Sequence, residues 1–183
     1  MSTDQLPDLV TEVTVPTGPD RAFALFVDEI GAWWPLAGFS SGGADSSVAF
    51  ERAPDGRPAR LVETLADGTT TDWGTVTAWD PPHAVAFTWH PGARADAATQ
   101  VEVTFAPATS DDTGDGRADH DGSSSTLVVL THSGWDARSD APSARARYET
   151  GWDVVLAPFI DRTTDEPGPG RTPPVSSTEE GPA

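Results

Sequence analysis

The stretch from 73 to 89, WGTVTAWDPPHAVAFTW, constrains the fold of this 183-residue chain more than any other, because its sequence predicts two strands joined by one tight turn. The turn is DPPH at 80–83, where proline fixes φ, lacks an amide donor and follows a residue that bonds to local amides. On the second arm Val85, Phe87 and Trp89 recur with the two-residue period of a strand that buries one face. A lone hairpin is marginally stable, so the sequence predicts further strands and a covering helix.

Hydrophobic periodicity predicts the remaining elements. Apolar residues at intervals of three and four predict a helix from about Pro19 to Ile30 and a longer helix from about Ser143 that carries Trp152. Further strands are predicted at 8–15, 48–52, 59–65, 99–105 and 126–132. The stretch 38–47 is predicted to be a flexible loop. The predicted order is a strand, a helix, about six antiparallel strands and a terminal helix.

The apolar content predicts a single domain over 8–163. The acidic loop within this domain and the C-terminal tail have too few apolar residues to offset the entropy lost on ordering. We expect residues 1–7 to be a flexible N-terminus, 108–124 an acidic loop insertion and 164–183 a disordered C-terminal tail.

Composition excludes several classes of function. The chain contains no cysteine, which removes thiol catalysis and thiolate metal sites. Its formal net charge is −18, and its eleven basic residues are all arginine and are scattered, so nucleic acid is not an expected partner. No glycine-rich phosphate motif is present, and no cofactor is predicted. No signal peptide or membrane-spanning run is visible, so we expect no membrane partner and a cytoplasmic location.

Two histidines are the residues with catalytic potential. His132 shares a predicted strand face with Val128 and Leu130, which makes it a weak candidate for a buried acid or base. The favoured alternative is a histidine whose nitrogens are satisfied by backbone groups or by Trp135. His90 would either pair with an acidic residue or, as the turn sequence favours, face solvent.

No metal site is predicted. Asp111, Thr113, Asp115 and Gly116 resemble the start of a calcium loop. Gly122 stands where that loop requires a glutamate, however, and no predicted helices flank it, so a solvated loop is the favoured interpretation.

Aromatic side chains give the remaining functional signal. They fall near predicted element ends or on inward faces, where they would line an apolar pocket between sheet and helix, although core packing explains most of them equally well. With the histidine, the predicted ligand-binding residues are Trp33, Trp34, Phe87, Trp89, His132, Trp135, Trp152 and Phe159.

The domain resembles the SRPBCC (START-like, helix-grip) superfamily, in particular the branch similar to the activator of Hsp90 ATPase homologue 1. The resemblance covers roughly 9–162 and rests on five segments in order: VTVPTGPDRAFALFVDEIGAWWP, WGTVTAWDPPHAVAFTW, TQVEVTF, TLVVLTHSGW and YETGWDVVLAPF. It implies an α+β helix-grip fold in which a curved antiparallel sheet of six to seven strands wraps around a long C-terminal helix. Members of the superfamily often enclose a hydrophobic cavity, and they share no fixed set of catalytic residues.

Three functions are compatible with this resemblance. The first is a non-enzymatic domain, monomeric or homodimeric, that binds a hydrophobic small molecule or a protein partner. The second is a cyclase-like or dehydratase-like enzyme that acts on an apolar substrate, with His132 as its acid or base. The third is a chaperone-associated interaction module. The eukaryotic activator has a separate amino-terminal chaperone-binding domain for which this chain has no room, so Hsp90 activation is not expected.

Overall fold

One antiparallel sheet of seven strands organises the computed structural model, which describes residues 6–108 and 124–164. The strands are β1 Leu9–Val15, β2 Ser47–Arg52, β3 Pro58–Thr64, β4 Thr70–Asp80, β5 Ala84–Trp89, β6 Thr99–Pro107 and β7 Thr126–Ser133. The helices are α1 Pro19–Asp28, α2 Ile30–Trp33, α3 Leu36–Phe39 and α4 Ala141–Thr164. The strand order is β1-β7-β6-β5-β4-β3-β2. The predicted α+β helix-grip fold is confirmed.

The central strands have the register that their alternation predicts. Val103 of β6 lies opposite Val85 of β5 and Leu130 of β7. All three side chains are buried, whereas Glu102 points to the exposed face. Because the side-chain period of a strand is two residues, a slip by one residue would bury this carboxylate in place of valine.

Both long helices pack on the apolar face of the sheet. Phe26 of α1 contacts Phe105 of β6 and Phe159 of α4, with ring centroids 5.6 and 5.5 Å apart. β1 forms one edge of the sheet and pairs along its whole length with β7, from Leu9 opposite His132 to Val15 opposite Thr126. The N-terminal strand therefore borders the sheet next to the last strand, and α1 to α3 lead the chain across to β2 at the opposite edge.

The stretch predicted to be a flexible loop contains ordered structure. It includes the end of α3 and a 3₁₀ turn at Gly43–Asp45, fixed by contacts that are described below. Leu6, within the predicted flexible N-terminus, packs against the core, and Arg145 donates a 2.8 Å hydrogen bond to the carbonyl of Pro7. Most of the predicted acidic insertion (109–123) and the tail from 165 onward lie outside the described residues, as does the calcium-like segment.

Gly74 in β4 permits a close approach between strands. A register shift places Trp73 as an extra residue between the pairs Leu61–Gly74 and Val62–Asp72. A Cβ atom at position 74 would lie well inside van der Waals contact of the backbone oxygen of Thr88. Backbone cannot rotate away as a side chain can, so β4 and β5 would have to separate to accept any other residue.

We predict that Gly74→Ala destabilises the protein by about 2 kcal/mol or more, since overpacking at a rigid contact typically costs about 1 to 3 kcal/mol. The matched control is Gly38→Ala, where an added Cβ meets nothing within 4 Å. This control should lose no stability, because alanine is the better helix former. Chemical denaturation of both variants measures the difference, and equal midpoints would show that the strands are not in tight contact at Gly74.

Candidate functional site

A pocket of about 490 Å³ opens between the middle of α4, the end of β5 and the segment that follows α2. Its volume lies within the range of roughly 300 to 1,000 Å³ typical of small-molecule sites. Aromatic and apolar side chains line it together with polar serine, arginine and tyrosine side chains. The lining residues are Trp34, Phe39, Ser40, Ser41, Trp89, Pro91, Gly92, Ala93, Arg138, Arg147, Tyr148, Gly151, Trp152 and Val155.

Three indole rings from different parts of the chain form the wall, which we call the tryptophan wall: Trp34, Trp89 and Trp152. Their ring centroids lie 5.7 Å (Trp34 to Trp89), 5.4 Å (Trp89 to Trp152) and 6.2 Å (Trp34 to Trp152) apart. These spacings are those of favourable tilted and edge contacts between aromatic rings. The wall is therefore a packed cluster that lines one side of the cavity.

Hydrogen bonds fix the orientation of each indole in the tryptophan wall. The Nε1 of Trp34 donates to the carbonyl of Phe39 at 2.9 Å, and the Nε1 of Trp89 donates to the hydroxyl of Tyr148 at 3.0 Å. The Nε1 of Trp152 donates to Nδ1 of His132 at 3.1 Å. An indole held at its nitrogen and packed on its faces has little freedom to turn, so the wall is formed before any ligand enters.

His132 lies behind the wall and is completely buried. An indole nitrogen only donates, so Nδ1 must be the unprotonated acceptor and Nε2 must carry the ring hydrogen. Nε2 lies 2.6 Å from Oγ1 of Thr99, which in turn donates to the carbonyl of Trp89 at 3.2 Å. A continuous hydrogen-bonded chain thus runs from Trp152 through His132 and Thr99 to Trp89.

The surroundings of His132 favour its neutral form. Burial, assisted by the positive charge of Arg138, lowers its pKa from 6.5 to about 3. The ring packs at a tilt against Trp135, with centroids 4.1 Å apart, and does not reach the pocket surface. These contacts favour a positioning role over proton transfer. The favoured prediction is that backbone groups or Trp135 satisfy the two nitrogens of His132. In the structure the side chains of Thr99 and Trp152 satisfy them instead.

Glu63 of β3 fixes the rim on the other side of the pocket. Its fully buried carboxylate accepts hydrogen bonds from the backbone amides of Ser41 (3.2 Å) and Gly42 (2.7 Å) and from the Trp73 indole (3.0 Å). Burial, the largest single influence, raises its pKa, but the hydrogen bonds together lower it more, so the net shift is downward. The carboxylate therefore holds the segment that carries Ser40 and Ser41 against the sheet.

Two arginines and an aspartate lie at the mouth of the pocket. Arg138 donates from Nε (2.9 Å) and Nη2 (3.2 Å) to the carboxylate of Asp140, and Arg147 donates from Nη2 at 3.0 Å. The hydrogen bonds from Arg138 and then Arg147 lower the pKa of Asp140 to about 2. Asp140 is consequently ionised at neutral pH, and we call the three residues the mouth cluster.

The structure brings three of the eight predicted site residues to the pocket surface, namely the members of the tryptophan wall. His132 and Trp135 form a layer behind Trp152. Trp33 and Phe159 contact each other in the core, with centroids 5.3 Å apart, and Phe87 lies between Phe50 and Trp89.

Sequence reasoning did not select Tyr148, Arg138 or Arg147 as site residues. Tyr148 was visible only as a member of the apolar stripe of the terminal helix. The two arginines carry no sequence signal beyond their position around the start of that helix. Only the packing of α4 onto the sheet places them beside the tryptophan wall.

The solvent-facing position predicted for His90 is wrong. His90 is only 7% exposed, and its buried Nδ1 has no hydrogen-bond partner among the described residues. Its backbone amide donates to the carbonyl of Trp73 at 2.8 Å, which draws the residue into the sheet end. Backbone pairing, which the turn sequence PG does not reveal, determines its burial.

Within residues 6–108 and 124–164, no three histidine, aspartate or glutamate side chains converge on a point that would hold a metal ion. In the same part of the chain, no helix has the length and apolar character needed to cross a bilayer.

The curved sheet, the long terminal helix and the pocket between them define a START-like helix-grip protein of the SRPBCC superfamily. The chain belongs to the activator of Hsp90 ATPase homolog 1-like family, whose model matches residues 16–114. No curated protein sequence matches the chain significantly.

Solved structures with the same fold include an anthrahydroquino-γ-pyrone synthase, Txn09, complexed with SUM. It is 26% identical, with a TM-score of 0.51, and the match covers 86% of this chain and 97% of that one. The Aha1 dimer from Colwellia psychrerythraea is 17% identical, with a TM-score of 0.54 and coverage of 86% and 96%. CalC from Micromonospora echinospora, a self-sacrificing resistance protein, is 20% identical, with a TM-score of 0.51 and coverage of 89% and 97%. The similarities to the Aha1 dimer and to CalC are evidence of a shared fold alone.

We predict that Glu63→Gln lowers the free energy of unfolding by roughly 2 kcal/mol at neutral pH, since hydrogen bonds to a charged acceptor are the stronger kind. A carboxyl group whose pKa is lower in the folded than in the unfolded state stabilises the folded protein at pH values above its unfolded pKa, near 4.5. This stabilisation is lost as the pH falls through the folded-state pKa. The advantage of wild type should therefore shrink below about pH 4.5. Glu51→Gln, at an exposed ion pair with Arg60, is the control and should cost under about 1 kcal/mol. A Glu63→Gln effect that is independent of pH would contradict the role of the charge.

We predict that His132 stays neutral, with its hydrogen on Nε2, from pH 8 down to pH 5. The unfolded chain takes up this proton near pH 6.5, but the folded protein does so only near pH 3, so protonation of the unfolded state removes stability as the pH falls below 6.5. Nitrogen-detected NMR of the imidazole reports both the tautomer and the titration. A midpoint between pH 6 and 7 would show that the ring is accessible and free to exchange protons.

Proposed function

We propose that this protein binds a planar, fused-ring aromatic small molecule in the pocket beside the terminal helix. The observation that carries the proposal is the tryptophan wall, in which three indoles line a cavity of about 490 Å³. Flat aromatic faces favour a ligand that stacks on them or contacts them by its edge. A pocket that is already formed also avoids the cost of ordering side chains on binding.

The polar groups at the pocket support binding without requiring catalysis. His132, the candidate acid or base, is separated from the cavity by Trp152 and is neutral. The hydroxyl of Tyr148 accepts from Trp89, so its own hydrogen is free to point toward a ligand. A ligand with a ring carbonyl or hydroxyl would be oriented by this donor.

Catalysis on an aromatic substrate is the second candidate, because the similar structure Txn09 is named as a synthase of an anthrahydroquinone-fused pyrone. Its name describes a fused aromatic skeleton, which is the ligand shape that the tryptophan wall favours. In such an enzyme Tyr148, which faces the cavity, would transfer or hold a proton in place of His132. Binding of a protein partner, the oligomeric state and the cytoplasmic location stay predictions.

We predict that Gly151→Leu weakens binding of fused-ring aromatics by at least about tenfold while Gly151→Ala preserves it. Gly151 lies in α4 on the pocket surface, and an added Cβ meets only Phe39, at an ordinary 3.9 Å, so the alanine fits without strain. The longer leucine side chain would occupy part of the cavity beside Phe39, whereas the alanine would leave most of it open. Both residues are better helix formers than glycine, so neither variant should be less stable than wild type.

Anthraquinone-2-carboxamide and 2-naphthol are suitable probes for this test, with thermal shift and calorimetry as the measurements. At a hundredfold excess over the dissociation constant, a bound probe should stabilise wild type by about 2.7 kcal/mol. Gly151→Leu should lose at least about tenfold in affinity. If no fused-ring aromatic binds wild type, or if Gly151→Leu binds as well as Gly151→Ala, the pocket is not the binding site.

A further inference from the structure

We infer that the aromatic ligand of this pocket carries an acidic group, a carboxylate or an ionised phenol, and that Arg138 and Arg147 bind this group at the mouth. The inference rests on the proposed function, because it specifies the class of ligand for the same pocket. It concerns the end of the ligand that points away from the tryptophan wall.

The charged side chains that line the pocket surface itself are of one sign. Among the residues that line it, the charged side chains are Arg138 and Arg147, and none is acidic. Asp140 lies behind the arginines, so the mouth cluster carries two positive charges and one negative charge, a net charge of +1. In a chain whose formal net charge is −18, a cationic pocket mouth is a local exception.

Asp140 positions the arginines without using all of their donors. It occupies Nε and Nη2 of Arg138 and Nη2 of Arg147. In the described part of the chain, no side chain or carbonyl accepts from Nη1 of Arg138 or from Nε and Nη1 of Arg147. Guanidinium groups match the geometry of carboxylate oxygens and form charge-assisted hydrogen bonds with them. The free donors at the mouth therefore suit an anionic oxygen group.

The two arginines differ in exposure, which suggests separate roles. The Arg138 side chain is 19% exposed and makes two hydrogen bonds to Asp140, so it forms the fixed part of the cluster. The Arg147 side chain is 63% exposed and makes one. Arg147 can reorient toward a ligand at little cost, and replacing it should not disturb the fold.

The overall negative charge of the protein does not oppose this recognition strongly. At physiological ionic strength, charges more than about 8 Å from the ligand are largely screened, whereas a group in direct contact with a guanidinium is not. The local positive charge therefore determines the preference for an acidic ligand under these conditions.

A matched pair of probes tests the inference: anthraquinone-2-carboxylate and the neutral anthraquinone-2-carboxamide, measured by calorimetry at 0.15 M salt. Wild type should bind the acid about tenfold more tightly than the amide. Arg147→Gln should lower the affinity for the acid about fivefold or more and leave the affinity for the amide unchanged. The control is Arg145→Gln, which makes the same change of charge on the same helix, at a residue that contacts Pro7 and Glu149 and does not line the pocket.

Each outcome separates the inference from the proposed function. Equal binding of acid and amide to wild type, equal losses for both probes in Arg147→Gln, or an equal loss of acid binding in Arg145→Gln would overturn the inference and leave aromatic binding in place. Binding of neither probe to wild type would overturn both. A preference for the acid that only Arg147→Gln reduces would support the inference.

Discussion

The hydrogen-bonded chain through His132 connects the parts of this structure on which the pocket depends. It joins β7, which carries His132, to β6 through Thr99 and to α4 through Trp152. An unsatisfied buried polar group costs about 1 to 3 kcal/mol, so each link requires its partner. The terminal helix is thus fixed in rotation as well as in position, and Trp152 presents one defined face to the cavity.

Glu63 applies the same principle at the opposite rim. A buried carboxylate is costly unless it is hydrogen-bonded, and here two backbone amides and an indole satisfy it. Because these hydrogen bonds come from Ser41 and Gly42, they also fix a segment rich in serine and glycine beside the sheet. Two buried polar groups, one neutral and one charged, therefore hold the two sides of one apolar pocket. Aromatic packing supplies the surface for the ligand, and the polar groups determine where that surface lies.

The sequence predicted the sheet well because the alternation of Val101, Val103 and Phe105 leaves only one register with an apolar inner face. It could not predict which tryptophans reach the cavity. Trp33 and Trp34 are adjacent and chemically identical, yet the end of α2 turns the first into the core and the second to the pocket. Tyr148, Arg147 and Glu63 have ordinary sequence contexts. Tyr148 gains its role from a contact with Trp89, 59 residues away, and Glu63 gains its role from contacts with Ser41 and Gly42, 22 and 21 residues away. Such contacts depend on the tertiary packing of α4 and of the rim.

The central claim is that the tryptophan wall is formed in advance and receives an aromatic ligand. Crystal structures of the free protein and of its complex with anthraquinone-2-carboxylate would test it most directly. We expect the ring system to lie against Trp34, Trp89 and Trp152, with these side chains in the same rotamers in both structures and backbone shifts below about 1 Å. A cavity that is collapsed in the free protein, or a ligand bound elsewhere with the wall unoccupied, would contradict the account.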